Sequence, residues 1–306
     1  MMKIKHSIGL TGSTGMMGKH LIHFFSKKNI KILATTNKLP KYKNKNVQFK
    51  KLNLNTLKDE KQLDSIFKNI KTLIHLGALI PKPDFSPNKK EIFKTNFRST
   101  SILANWAKKN DVHFVFLSGA IVYKNNDSKK NNEFSLLNNN FKIDYYGQSK
   151  KDSDVYLFKK ITRGDKITIL RPTSIYGYGQ VISKIINKLI KFSKSNKLIE
   201  LSEPFEKINF IHAYDVVNAI YESIIRKEYG VFNIGSKKLY TIKDLSKILI
   251  GINKSESKIK IVKQIKKTNT LYKYNVSSLL AEKKLNWFEK IYIKKGLKLV
   301  INKQYG

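Results

Sequence analysis

Through the first half of the chain, short apolar runs alternate with segments of helical period. HSIGL (6–10) is apolar, partly β-branched and ends among glycines, which predicts a buried strand; KHLIHFFSKK (19–28) has apolar residues at 21, 22, 24 and 25, one face of a helix. IKILATT (30–36) predicts a second strand. LDSIFKNI (63–70) and KTLIHLGA (71–78) read as helix then strand. IFKTNFRSTSILANWAKKN (92–110) with VHFVFLSG (112–119) repeats that order, as does YYGQSKKDSDVYLFKKI (145–161) with KITILRP (166–172). Alternation at this spacing needs right-handed crossovers and predicts an α/β fold with a parallel, doubly wound sheet.

Beyond residue 173 the pattern loosens. VISKIINKLIKFSK (181–194) is an amphipathic helix, KINFIHAYDVVNAIYESII (207–225) a short strand leading into a helix, and GVFNIG (230–235) a strand. TIKDLSKILIGI (241–252) is a helix with Thr241 and Asp244 at capping spacing, and SSLLAEKKLNWFEK closes the pattern as helix and turn. KYKNKN (41–46) and YKNNDSKKNNE (123–133) are polar loops too short to separate domains. The change of pattern divides the chain into 1–172 and a smaller lobe, 173–306, some of whose elements return to the first part.

Charge changes the picture less than its size suggests. The net charge is +38, from 60 basic and 22 acidic residues, yet only Arg98, Arg163, Arg171 and Arg226 are arginines. Arginine is the residue suited to forked contacts with phosphates and guanine edges. Lysines interleaved with Asn and Ile along the whole chain read as a biased composition, with no specific nucleic-acid partner and only salt-dependent attraction to polyanions. The absence of Cys rules out disulfides and thiolate chemistry. Lys3 and Lys5 precede an apolar run broken by Gly9 and Gly12, unlike a secretory leader. No uncharged apolar run approaches the ~18 residues of a membrane span. A cytoplasmic protein is expected.

Two short stretches carry candidate chemistry. In TGSTGMMG (11–18), Gly12, Gly15 and Gly18 lie between the first strand and the first helix. They are either loop punctuation or a place where the backbone approaches a ligand. A parallel sheet binds ligands beyond the carboxyl ends of its strands, and a helix N-terminus offers free N–H groups to an anion, so the position favours a nucleotide pyrophosphate. In YGQSK (146–150), Tyr146 and Lys150 share a helix face. A nearby ammonium favours a phenolate, so the pair is suited to take a proton from a hydroxyl while hydride leaves the same carbon. In so lysine-rich a chain, Tyr with Lys at i+4 also arises without function.

The ordered set TGSTGMMG, HLGA (75–78), KTNF containing Asn96, FLSGAIVY (116–123), YGQSK, RPTSIYG (171–177) and INFIHAYDVV (208–217) resembles the extended short-chain dehydrogenase/reductases, the NAD-dependent epimerase/dehydratase group. The likeness continues into KYNVSSLLAEKKLNW near the end. It implies a Rossmann domain with a small C-terminal substrate-binding lobe, and NAD(P)-dependent epimerase, dehydratase or reductase chemistry on a sugar, typically nucleotide-linked. Tyr146 would be the acid/base and Lys150 its pKa-lowering, ribose-binding partner. Gly12, Gly15 and Gly18, with Met16 and Met17, would cradle the pyrophosphate. Leu76 and Ala78 would lie along the cofactor, Asn96 would support the active-site helix, and Thr173 would lie near the nicotinamide. Asn37, Lys38, Asn53 and Leu54 complete the cofactor set. Many members dimerise through a four-helix contact that would use 92–110 and 145–161.

Several positions depart from that pattern. The family's Ser or Thr ahead of the Val-Tyr pair is Gly119, preceded by Ser118, which becomes the candidate substitute. No Asp or Glu occurs from Ser26 through Lys58, so no carboxylate holds a ribose 2′-hydroxyl; Asn37 and Lys38 lean the cofactor, NAD or NADP, towards NADP. Asn53 replaces an Asp at the adenine. Ser174 and Ile208 replace an Asn and an Arg near the substrate diphosphate, with Lys207 pointing the other way on a strand. Ser118, Gly119 and Ser174 form the candidate substrate set. Ala120 and Ile121 lack the carboxylates usual in dehydratases. The alternatives are an NADPH-dependent carbonyl reductase on a small substrate, or a dinucleotide-binding protein weakened at Gly119. His212 and Asp215 read as structural, Trp106 and Trp287 as packing residues, and the other histidines (His6, His20, His23, His75, His113) lack metal-ligand spacing.

Overall fold

The computed structural model describes residue 4 and residues 6–41, 44–81, 87–124, 130–139, 144–180, 184–263 and 274–306. Its main sheet comprises β1 (Ile8–Thr11), β2 (Ile32–Thr36), β3 (Val47–Lys51), β4 (Thr72–His75), β5 (His113–Leu117), β6 (Ile167–Pro172) and β10 (Gly230–Ile234). The order is β10-β6-β5-β4-β1-β2-β3, and every pairing is parallel.

Burial of both faces explains why these strands read as continuous apolar runs. Along β5, Val115 and Leu117 enter one core while Phe114 and Phe116 enter the other; along β6, Leu170 faces the first and Ile167 and Ile169 the second. The first core is roofed by α1 (Met16–Lys27), α7 (Ala213–Arg226) and α9 (Leu279–Leu285), the second by α2 (Lys61–Asp64), α4 (Ser99–Lys109) and α5 (Tyr145–Ile161). One turn of helix, α3 (Lys89–Ile92), leads through a π-helical segment, Phe93–Arg98, into α4.

Strand order reverses between β1 and β4, because the chain proceeds from β1 to β2 on one side and places β4 on the other. That switch point opens a crevice at the carboxyl edge of the sheet. Beside it stands a lobe made of β7 (Ser174–Tyr176), β8 (Ile199–Leu201), β9 (Lys207–His212), β11 (Leu239–Thr241) and β12 (Ile259–Ile261), with α6 (Ile185–Lys194), α8 (Ile242–Asn253) and α10 (Ile293–Ile301). It forms sheets β11-β9-β7 and β12-β8 around its own core, which includes Tyr176, Leu189, Phe210, Leu245 and Leu297.

The expected helix 63–70 is shortened to Lys61–Asp64, and Asn69 stands in the left-handed region with φ 59°. The first three residues of the expected helix 181–194 and parts of both polar loops lie outside the described residues. The Thr241/Asp244 capping box forms at the start of α8. His212 caps α7, its Nδ1 accepting from Tyr214 N, while the Asp215 carboxylate accepts from Lys290 N and Ile291 N at 2.9 and 3.0 Å. Asp215 therefore ties the C-terminal segment to α7, and His212 secures the start of that helix. Trp287 lies in the first core and donates to Asp215 O; Trp106 lies in the second and donates to Asp64 Oδ1. Among the described residues no group of His, Cys, Asp and Glu is placed to hold a metal, and no helix is long and apolar enough to cross a membrane.

Four buried imidazoles make the fold acid-sensitive. Burial holds His75, His113 and His212 down at about 3 and His20 at about 4. A histidine whose folded pKa lies below the unfolded value of about 6.5 stabilises the native state above that value and ceases to as pH falls towards the folded one. Asp215, raised to about 6 by burial, works in the opposite direction. Glu133 and Glu289, also raised by burial, act with Asp215, while His6 and His23 are lowered along with the other four imidazoles. Three groups oppose six, so the urea midpoint is expected to fall from pH 7 to pH 4.5. An unchanged midpoint contradicts the assignment.

Candidate active site

The glycine loop leaves β1 at Thr11. Gly12 turns with φ 73°, and a Cβ there would lie 2.5 Å from Gly77 N, so the loop is pressed against the segment following β4. Leu76 N donates to Thr11 O at 3.3 Å, binding the two together. A Cβ on Gly18 would run into Gly12 O, so Gly18 lets α1 sit on the loop. Gly15 differs: it is exposed, and the nearest atom to its Cβ would be Gly12 O at 3.5 Å. Nothing in the protein demands glycine there. Behind it, α1 begins without a side-chain cap or an acidic residue in its first turn. Bare N–H groups, helix dipole and an open rim suit a pyrophosphate, so the residues present fit a dinucleotide. Met16 and Met17 occupy that first turn and are half-buried.

Two strands along, α5 delivers Tyr146 and Lys150 to the carboxyl end of β5. Asp144 caps the helix, its Oδ1 accepting from Gly147 N at 2.9 Å. Lys150 is buried; its Nζ donates to Leu117 O at 2.7 Å and lies 4.8 Å from the Phe116 ring centroid and 5.9 Å from that of Tyr146. Burial lowers Lys150 to about 8, opposed by the carboxylate of Asp154 one turn on. The phenol of Tyr146 is not lowered, as the pairing with Lys150 led one to expect. Burial raises it, and the charge of Asp144 adds in the same direction. Desolvation outweighs the neighbouring ammonium, whose shortest bond goes to a carbonyl.

Asn96 sits inside the π-helical segment and is buried. Its amide grips the Leu79 peptide from both sides, Oδ1 accepting from N at 2.7 Å and Nδ2 donating to O at 3.1 Å, and Nδ2 also donates to Ser149 Oγ at 3.0 Å. Leu76 and Ala78, half-buried, lie in the stretch thus held between the glycine loop and α5. Ser118 does not present a free hydroxyl: its Oγ donates to Asp154 Oδ2 at 2.7 Å. Gly119 has extended backbone at φ 178°, and its Cβ would meet only ordinary contacts, Ile121 Cγ2 at 3.5 Å and Pro172 O at 3.9 Å. A serine fits there without strain.

The remaining candidates are dispersed around the crevice. Asn37 and Lys38 are exposed after β2. Asn53 Oδ1 accepts from Asn55 N, which closes a turn, and Leu54 packs against the second core. Thr173 donates to Asn209 Oδ1 at 3.0 Å, and Ser174 begins β7, half-buried. Ile208 is buried in the lobe core while Lys207 is exposed. Sequence reasoning missed Asp154, Ser149, Thr11, Thr100 and a part for His75; for Ser149 and Asp154 the available signal was their helical spacing from Tyr146 and Lys150.

The model of the NAD dependent epimerase/dehydratase family matches residues 8–235. The chain belongs to that family. The ADP-L-glycero-D-manno-heptose-6-epimerase of Fusobacterium nucleatum is 23% identical over 78% of this chain and 77% of its own. In structure the protein is similar to the UDP-glucose 4-epimerase of Thermotoga maritima, crystallised with UDP-glucose (TM-score 0.82, 22% identity, 97% and 98% of the two chains). It is also similar to that of Thermus thermophilus in complex with NAD (TM-score 0.80, 17% identity, 97% and 98%). Family members are NAD-dependent enzymes with this Rossmann-like fold.

The loop geometry separates two glycines by role. Gly15→Ala is expected to leave the melting temperature within about 2 °C, since surface changes without contacts usually stay within ~0.5 kcal/mol. It should nevertheless weaken NADH or NADPH binding at least tenfold. Gly18→Ala should lower the melting temperature markedly. Calorimetry and fluorescence titration of the two variants check this; equal effects on stability count against it.

Proposed function

We propose that the protein is an NAD(P)-dependent epimerase- or reductase-type enzyme acting on a nucleotide-linked sugar, with Tyr146 as acid/base. The observation that carries this is the placement of Tyr146 and Lys150 at the end of β5, two strand spacings, or ~10 Å, from a glycine loop open at Gly15. One dinucleotide spans that interval along the crevice. The relatives' sugar nucleotides (ADP-heptose, UDP-glucose) support the substrate class. The sugar would lie between the sheet edge and the 173–306 lobe, near Gly119 and Ser174.

A dinucleotide held at Gly12, Gly15 and Gly18 would supply a hydride acceptor for the carbon bearing the sugar hydroxyl. Tyr146 takes that hydroxyl's proton. Its phenol needs positive charge nearby to do so, because burial disfavours the phenolate. Lys150 supplies that charge while protonated, and Asp154 favours the protonated form. Ser118, committed to Asp154, contributes through the position of the helix. Lys38 and the lack of a carboxylate between Ser26 and Lys58 favour NADP over NAD. A groove lined by Phe97, Leu137, Val155 and Tyr156 together with Lys151, Asp152 and Lys159, with Phe93 and Phe158 exposed nearby in sequence, supports a homodimer through the 92–110 segment and α5.

Gly119 favours a second reading, a dinucleotide-binding protein with weakened chemistry. Turnover of UDP- and ADP-sugars, followed by analysis of the sugar product for epimerisation and at the nicotinamide chromophore for net reduction, decides between them. Under the first reading Tyr146→Phe lowers kcat by at least a hundredfold with dinucleotide affinity kept within about threefold. The basic limb of kcat falls near pH 8: the charged Lys150 is present below that value and lost as pH rises through it. Unchanged turnover in Tyr146→Phe overturns the mechanism. Under the second reading only Gly119→Ser shows measurable turnover.

For the cofactor, parallel titrations with NADH and NADPH are expected to give the tighter constant for NADPH, by at least fivefold. Tighter NADH binding reverses the assignment.

A further inference from the structure

A buried line of polar groups runs from the glycine loop to the helix bearing Tyr146, and the mechanism above does not use it. Thr11, the last residue of β1, is the register partner of His75, the last residue of β4. Thr11, His75 and Thr100 are each 1% exposed or less. Gly77 N lies 3.3 Å from Thr11 Oγ1, which lies 2.6 Å from His75 Nδ1; His75 Nε2 lies 2.9 Å from Thr100 Oγ1. Thr100 Oγ1 also bonds Asn96 O, and Asn96 Nδ2 reaches Ser149 Oγ, which donates to Tyr146 O at 2.8 Å.

Proton counting fixes the direction of every bond. A carbonyl can only accept, so the one hydroxyl proton of Thr100 goes to Asn96 O. Thr100 Oγ1 must then accept from His75 Nε2–H. A neutral imidazole has one donor, so Nδ1 is bare and accepts from the Thr11 hydroxyl. That leaves Thr11 Oγ1 free to accept from Gly77 N–H, the contact present. The ring lies against Phe114 and Phe116, with centroids 6.0 and 5.7 Å away. Burial, then the charge of Lys150, hold it neutral. The other tautomer would take the Thr100 proton from Asn96 O and leave the Thr11 hydroxyl proton without an acceptor, which is costly in so dry a place.

We propose that Thr11, His75 and Thr100 form a positioning relay, with His75 fixed as its Nε2–H tautomer, that couples the dinucleotide loop to the helix carrying Tyr146. The proposal rests on the roles given above to that loop and that tyrosine. A dinucleotide seated on the loop tightens the Gly12–Gly77 contact, and the relay passes the constraint to the π-helical segment and so to the Tyr146 backbone. None of the three side chains is a catalytic residue; each acts through a neighbour.

Two experiments test it. With 15N-labelled histidine, the full-length protein should show one His75 resonance pair of the Nε2–H pattern, unchanged between pH 5 and pH 8. An Nδ1–H pattern, or titration in that range, overturns the relay, and this measurement needs neither turnover nor a variant. The second is a double-mutant cycle of Thr11→Val and Thr100→Val, read as NADPH affinity and kcat. Thr100→Val, remote from the loop, should weaken NADPH binding three- to tenfold. The double variant should be no worse than the poorer single one within about twofold, and in a His75→Leu background this non-additivity should vanish. Additive effects overturn the relay. Should the cycle fail while Tyr146→Phe is still inactive, the relay falls and the function stands; an active Tyr146→Phe variant with a coupled cycle keeps the relay and removes the acid/base role.

Discussion

Asp154 and Arg171 meet where neither can reach water, with side-chain exposures of 0% and 4%. Arg171 donates from Nε to Oδ2 at 3.0 Å and from Nη2 to Oδ1, a forked pairing between the middle of α5 and the end of β6. Burying two charges costs several kcal/mol per ion, and such a pair holds only if its remaining valences are filled. Here Ser118 Oγ fills one on the carboxylate, and Tyr123 Oη and Glu133 O accept from Nη1. Tyr123 in turn donates to Asn233 Oδ1 on β10. Losing either ion would strand the other at a cost of about 3–5 kcal/mol. The pair adds little net stability over an apolar contact, but it permits only one height and rotation of α5 against the sheet, and Tyr146 and Lys150 inherit both.

The charge excess stands apart from this centre. Among the described residues, lysines form ion pairs such as Lys166–Asp111 and Lys260–Glu200 on the surface, where such pairs are worth ~0–1 kcal/mol. Lys150 is the exception, because its stem is packed against aromatic rings and its ammonium has one carbonyl partner. What sets this lysine apart is its dry surroundings.

The parallel sheet was legible because both of its faces are apolar, which leaves uninterrupted runs between glycines. β3 was not: VQFKK sits at the sheet edge and has one strand partner, so it needs only Val47 and Phe49 inward. The three-residue strands of the lobe are too short for any period to declare itself. α10 was hidden by Gly296, normally a helix weakener, which is required because Tyr176 Oη occupies the place a Cβ would take. The π-helical segment has no mark in sequence, and the Leu79 peptide that its Asn96 grips lies outside the helical pattern. In the site, the spacing of Tyr146 and Lys150 could be read directly. The partnership of Thr11 with His75 could not, because 64 residues separate them and only strand order makes them neighbours.

The extended backbone at Gly119 has one more implication. Most glycines around the crevice are compelled by crowding or by a turn, and their replacement would have to be matched by other changes. Gly119 is compelled by neither. A hydroxyl at this point and its absence are separated by one side chain and no rearrangement of the main chain, so this position is open to exchange with the scaffold left untouched.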